Sequence, residues 1–274
     1  MRSAFYEPAG PHTFVATPAT AGPWSAQSQH GGPPSALAAR ALQRHDPDET
    51  QRLARVAVDI LRPIPVAKVT LRTRTVRPGR RVSLLEAVME AGGQEVLHAR
   101  GWRIAITSGG PGVAAATASA TPVAPGSPDA PAGPPEIPAA QPPSRFPGGH
   151  MTGYLDAIDW RFLAGGGFDK PKPAKVWTRP RIPLIEGEEP SPMSRALLVA
   201  DSGSGVSAVL DPLGFLFINV DLTVILSRDP VGEWLLLDAA TTIGQQGTGL
   251  AETTISDVQA PCGTALQTLL VAPR

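Results

Sequence analysis

Residues 108–144 carry ten prolines and ten alanines but only two charges, Asp129 and Glu136. No apolar period crosses this stretch. Such a composition cannot bury enough surface to offset the entropy lost on ordering, so it reads as a linker. It cuts the 274-residue chain into two parts of similar length, 1–107 and 145–274. A chain of this size can bury a core without disulfides.

The two parts follow the same order. In the first, Pro33-Pro34 opens an alanine-rich stretch, Ser35 to Leu42. Proline in the first helical turn costs nothing, because the N–H groups there have no intrahelical partner. Strand-like runs follow at Ala54–Leu61, Val66–Val76, Val82–Glu90 and Glu95–Ile106, separated by Arg62-Pro63, Pro78-Gly79 and Gly92-Gly93. In the second part, Asp201 reads as a helix N-cap beside Ser202 and Ser204, and a short helix is expected from Gly203–Gly205. Runs at Phe215–Leu226, Glu233–Thr242, Gly249–Asp257 and Thr264–Ala272 follow, with Arg228-Asp229-Pro230 and Pro261-Cys262-Gly263 between them. Laying Pro65 on Pro230, Gly93 on Cys262 and His98 on Gln267 aligns the halves, with the change of offset in a turn. Each unit is therefore expected to be α+β, one helix against an antiparallel sheet. A meander that wraps a buried helix, twice in one chain, suggests a double hotdog.

Charge and cysteine content remove several alternatives. Lys plus Arg and Asp plus Glu are 24 each, which argues against a nucleic-acid partner held by bulk charge. The one cysteine, Cys262, excludes an intramolecular disulfide and a zinc site built on cysteines. No apolar run reaches the length of a membrane span, and Met1–Pro8 holds no signal core, so the expectation is a cytoplasmic protein. No serine occupies a Gly-x-Ser-x-Gly elbow; Ser204 has Ser202 where the first glycine belongs.

The segment His30-Gly31-Gly32-Pro33-Pro34-Ser35-Ala36-Leu37 resembles the first hotdog helix of the acyl-CoA thioesterase II (TesB-like) family. Asn219-Val220-Asp221-Leu222-Thr223-Val224, followed by Arg228, resembles part of its second hotdog, as do Glu233–Leu236 and Gln267–Val271. The resemblance implies hydrolysis of acyl-CoA to a free carboxylic acid and CoA, without metal or other cofactor. It implies that an aspartate, a hydroxyl residue and a glutamine position the attacking water. Carried over, these fall on Asp221, Thr242 and Gln267, with the Gly31–Gly32 helix start as oxyanion donor. Pro33 replaces the glutamine more usual in that motif and offers no N–H.

Such residues suit the chemistry. A carboxylate can take a proton from water, Thr and Gln can orient it, and a helix N-terminus can stabilise a developing oxyanion. In the first half, Arg55, Val76 or Arg77, and His98 stand where Asp221, Thr242 and Gln267 stand in the second, so one active site per chain is expected. Lys68, Arg72, Arg74, Arg77, Arg80 and Arg81 form one basic cluster. Arg72, Arg74 and Arg77 are candidate contacts for the phosphates of CoA; the plainer reading is a solvated outer sheet face. Two hotdogs per chain point to further pairing into a homo-oligomer. The rival function is a non-catalytic acyl-CoA or lipid-binding module on the same fold.

Overall fold

A computed structural model describes residues 4–107, 133–142, 144–170 and 172–274. The linker reading falls largely on residues 108–132 and 143, outside the described residues. From residue 133 on, the stretch has no helix or strand but makes specific contacts. Pro135 C=O accepts from Trp177 Nε1 at 3.1 Å, and the Gln141 carboxamide brackets the Phe162 backbone at 2.7 and 2.9 Å.

The first half supplies β1 (Tyr6–Gly10), β2 (Thr13–Ala16), the small hairpin β3 (Ala21–Gly22) and β4 (Ser25–Gln29), and helix α1 (Gly32–Arg44). It continues with β5 (Gln51–Ile60), β6 (Lys68–Arg77), β7 (Val82–Ala91) and β8 (Gln94–Ala105). The second half supplies β9 (Ile158–Phe162), β10 (Ala174–Pro180), helix α2 (Pro192–Ala200) and the single turn α3 (Gly203–Val206). It ends with β11 (Phe215–Asn219), β12 (Asp221–Leu226), β13 (Leu235–Ile243), β14 (Thr248–Ser256) and β15 (Pro261–Pro273).

Thirteen strands form one antiparallel sheet, joined between halves where β5 pairs with β12. Helices α1 and α2 pack against each other beneath it, and one core runs through both halves, from Leu37, Val56 and Leu85 to Leu197, Leu222 and Leu237. The architecture is α+β, a double hotdog. No helix among the described residues is long and apolar enough to cross a membrane.

Small residues let the helices meet. Ala36, Ala38 and Ala39 of α1 are fully buried, and a Cβ at Gly32 would stand 2.2 Å from the Leu198 carbonyl of α2. The main helix of the second half is thus Pro192–Ala200, upstream of the expected Gly203 start. Ser191 caps it by accepting from the Ser194 N–H, and proline occupies the first turn. Asp201 follows the end of this helix and is not an N-cap.

Pairing registers quantify the duplication. Leu85 faces Gly101 as Ala251 faces Gln267, and Ala57 faces Arg100 as Thr223 faces Leu266. One constant offset carries the first half onto the second. It places Gly101, not His98, at the position of Gln267, and keeps Arg55 with Asp221 and Val76 with Thr242. Both halves also carry an extra residue at the same place. One is the register shift between Leu53 and Arg55; the other is Val220, since Asn219 pairs with Leu269 and Thr223 with Leu266.

Candidate functional site

The extra residue decides which side chains point inward. Side chains alternate along a strand, and a bulge resets the alternation beyond it. Leu222 is buried on the inner face, yet Asn219 also turns inward, because Val220 is the inserted residue and is 47% exposed. Asp221 stays on the outer face. Its Oδ1 accepts from the Thr268 backbone N–H at 2.6 Å and its Oδ2 from the Thr268 hydroxyl at 3.3 Å.

Strands β13 to β15 repeat the point. Thr241, Ala251 and Gln267 form one inward row, and Thr242, Leu250 and Thr268 form the adjacent outward row. Thr241 reaches the Ser207 hydroxyl at 2.7 Å, whereas Thr242 is exposed. Of the expected trio, Gln267 points into the protein and Asp221 and Thr242 point away from it. The structure does not bring the three together.

Gln267 meets a different carboxylate. Gln267 is 1% exposed; its Oε1 accepts from the Ser204 N–H at 3.0 Å. Its Nε2 donates to the Asp201 C=O at 3.0 Å and approaches Asp201 Oδ1 at 3.4 Å. Asn219 Nδ2 donates to the same Oδ1 at 2.8 Å. Asp201 Oδ2 lies 3.0 Å from His30 Nδ1. A carboxamide therefore stands where a hydroxyl was expected, and the carboxylate comes from the end of α2.

Glycines 31 and 32 do reach this place, but their N–H groups face the chain's own side chains. The Gly31 N–H is a further donor stabilising Asp201, and the Gly32 N–H lies 3.2 Å from His30 Nδ1. A Cβ on Gly31 would sit 2.8 Å from both Asp201 carboxylate oxygens, so this approach requires glycine. Burial works to raise the Asp201 pKa. The His30 ring, Asn219 and the Gly31 N–H outweigh it and hold the carboxyl below its usual range.

Tyr154 completes the cluster. Its ring stacks on His30 with centroids 3.7 Å apart and planes 8° from parallel, and its hydroxyl donates to Leu198 C=O at 2.8 Å and meets Ser202 Oγ at 2.9 Å. Burial raises the Tyr154 pKa well above its ordinary value, so the phenol stays protonated.

The corresponding position of the first half is apolar. Gly101 stands for Gln267 and buried Leu53 for Asn219, and a Cβ on Gly101 would strike Leu53 and Leu42. The basic cluster lies elsewhere. Arg72 pairs with Glu90 and Glu95, Arg74 pairs with Glu86, and Arg77 donates to the Val82 carbonyl, all on or beside the outer face of β6 and β7. These guanidinium groups are already neutralised by carboxylates or held by backbone. Two clefts of about 510 Å³ each open around Arg40 and Arg44, near the far end of α1, and neither is lined by a residue of the Asp201 cluster.

The family model of the acyl-CoA thioesterase N-terminal domain matches residues 20–121, and that of the C-terminal domain matches residues 128–271. The chain belongs to the acyl-CoA thioesterase family. Solved structures with the same fold include a candidate thioesterase II from Thermobifida fusca YX, at 15% identity and TM-score 0.70, covering 97% of this chain and 95% of that one. A conserved hotdog-fold protein from Alicyclobacillus acidocaldarius matches at 16% identity and TM-score 0.66, over 96% of this chain and 94% of the other. An acyl-CoA thioesterase II from Mycobacterium marinum matches at 15% identity and TM-score 0.60, over 98% and 95%. No curated protein sequence matches the chain.

Neither His30, Asn219 nor Asp201 was among the catalytic residues expected from sequence. Asp201 carried one usable signal: Ser191-Pro192 opens a helix, and an aspartate at the far end of that helix has no capping role.

Proposed function

We propose that this protein hydrolyses acyl-CoA thioesters, with water as the nucleophile and without a covalent acyl-enzyme, at the cluster of Asp201, Asn219 and Gln267. The observation that carries the reading is the convergence of these side chains from three elements on one buried carboxylate. The matching position in the first half holds only Leu53 and Gly101. Buried polar groups are costly unless they satisfy one another, so an isolated polar cluster in one of two matched halves is a candidate for function.

Hydrolysis needs a fixed water, a group to take its proton and a polar setting for the carbonyl oxygen. Asn219 and Gln267 fix the carboxylate, and its negative charge orients water or a positive partner beside it.

Thiol release from a panel of acyl-CoAs of different lengths tests the reading. The wild type should release CoA, and Asp201→Asn should lose about 10²–10⁴-fold in kcat. Gln267→Ala and Asn219→Ala should each cost less, and the losses should not add, because the residues act as one unit. Saturable binding of acyl-CoA without turnover would replace this reading by the non-catalytic one.

A further inference from the structure

We infer that His30, through Nε2, is the group that takes the proton from the attacking water, and that Asp201 serves to fix and charge-stabilise its ring. The inference rests on the hydrolytic reading of the cluster and assigns its base.

Asp201 is poorly placed to accept a proton. A carboxylate offers about four acceptor positions. Those of Asp201 face Asn219 Nδ2 at 2.8 Å, Gln267 Nε2 at 3.4 Å, His30 Nδ1 at 3.0 Å and the Gly31 N–H. Protonating it would break one of these contacts inside a buried cluster, where an unpaired polar group is expensive.

The contact with His30 selects one tautomer on electrostatic grounds. A lone pair on Nδ1 facing a carboxylate oxygen at 3.0 Å would be repelled, so Nδ1 carries hydrogen and donates it. The Gly32 N–H, 3.2 Å from the same nitrogen, is a neutral donor and the weaker claim. In the neutral ring this leaves the free lone pair on Nε2. No described residue hydrogen-bonds to Nε2, and that atom is not among the buried polar atoms without a partner. The His30 side chain is 14% exposed against 4% for Asp201, so it is His30 that meets solvent. The stacked Tyr154 ring fixes the plane in which the lone pair points, and its own protonated phenol cannot compete as base.

The step balances without a co-reactant. Water forms a C–O bond to the thioester carbon as its proton passes to Nε2, and the C=O π pair moves to oxygen. Collapse re-forms C=O and breaks the C–S bond. The departing thiolate takes the proton from Nε2, leaving acid, thiol and the neutral ring.

Two substitutions test this in the full chain, using the acyl-CoA the wild type hydrolyses fastest. His30→Asn keeps an N–H near the place of Nδ1 and removes Nε2; His30→Ala removes the ring. Both should keep the wild-type circular dichroism and lose about 10²–10⁴-fold in kcat with KM much less changed. Added imidazole should restore about tenfold or more in His30→Ala and nothing in Asp201→Asn. A folded His30→Asn variant within about threefold of wild-type kcat would overturn the assignment, as would a His30→Ala loss that imidazole leaves untouched. If neither variant folds, carbethoxylation of the wild type decides. Activity that falls in step with modification of His30 supports the base, and activity surviving full modification of His30 overturns it. These failures leave acyl-CoA hydrolysis by the wild type intact. A wild type inert to every acyl-CoA would instead refute the functional reading, and this assignment with it.

Discussion

Asp201 sits at an electrostatic junction. It follows the C-terminal end of α2, where the helix dipole disfavours an anion, and it faces the start of α1, where the dipole favours one. The His30 ring, Asn219 and the Gly31 N–H tip the balance and keep it ionised. Asp221, two residues from Asn219, lends only its backbone C=O, which accepts from Asn219 Nδ2 at 3.1 Å. Its carboxylate serves the Thr268 backbone on the outer face. Asp221→Asn should therefore keep kcat within about twofold of wild type, while Asp201→Asn loses roughly 10²–10⁴-fold. Parallel steady-state assays of the two variants separate the outward carboxylate from the inward one. Equal losses would mean that the outward carboxylate also takes part in the chemistry. Gly31→Ala should also lose activity, because its Cβ would push the Asp201 carboxylate off its donors.

At the scale of elements, the two helices differ in how their ends are finished. The C-terminal end of α1 is closed by Arg103 from β8, a buried side chain whose guanidinium donates to the carbonyls of Leu42, Gln43, His45 and Asp46 at 2.5 to 3.1 Å. A guanidinium is a good partner for last-turn carbonyls, which have no intrahelical donor and carry the negative end of the dipole. Removing it leaves those buried carbonyls short of donors. Arg103→Ala should cost about 3 kcal/mol of unfolding free energy, read from urea titration with an unchanged m-value. A loss of only a few tenths of a kcal/mol would mean that water caps the helix equally well.

Across the whole molecule, several carboxylates are held below their ordinary pKa. Asp257 is the strongest case. Burial acts to raise it, but the bidentate Arg228 and the N–H groups of Val231, Gln259 and Ala260 dominate and lower it strongly. Asp159, beside Arg179 and Arg181, and Glu188, beside Arg40, are lowered too. A group whose folded pKa is depressed stabilises the protein above its unfolded value and loses that contribution as pH falls through the folded one. The unfolded references are 3.8 for aspartate and 4.5 for glutamate. The melting temperature should thus change little from neutral pH down to the range of these references and fall steadily below it. Asp257→Asn should start from a lower melting temperature and show a shallower acid decline, measurable by calorimetry across acidic buffers. An acid slope unchanged in Asp257→Asn would show that this ion pair does not carry the pH dependence.

Much of the architecture was legible before any coordinates. The helix after Gly31-Gly32-Pro33-Pro34, the repeated strands broken at glycine and proline, and the α+β duplication follow from local rules of caps, turns and alternation, which neighbours in the chain satisfy by themselves. Gln267 was named through the family resemblance; it turns inward because β15 keeps one uninterrupted alternation from Ala265 to Val271. The rest of the site depends on contacts that no local pattern records. Val220 adds one residue to the run from Phe215 to Leu226, turning Asn219 inward and leaving Asp221 outside. One added residue exchanges the faces of a strand, and whether a residue is inserted is decided by pairing with β15, not by the run itself. Helix α2 follows a proline-rich approach in which Ser191-Pro192 is the one signal of its start, so a reading that passes over it gives Asp201 to the next turn as an N-cap instead of to the end of this helix. The meeting of Asp201 with His30 joins residues 171 positions apart in the chain. It exists because small side chains let α1 and α2 pack side by side and antiparallel under a shared sheet, and only that packing brings a carboxylate from one half to the histidine of the other.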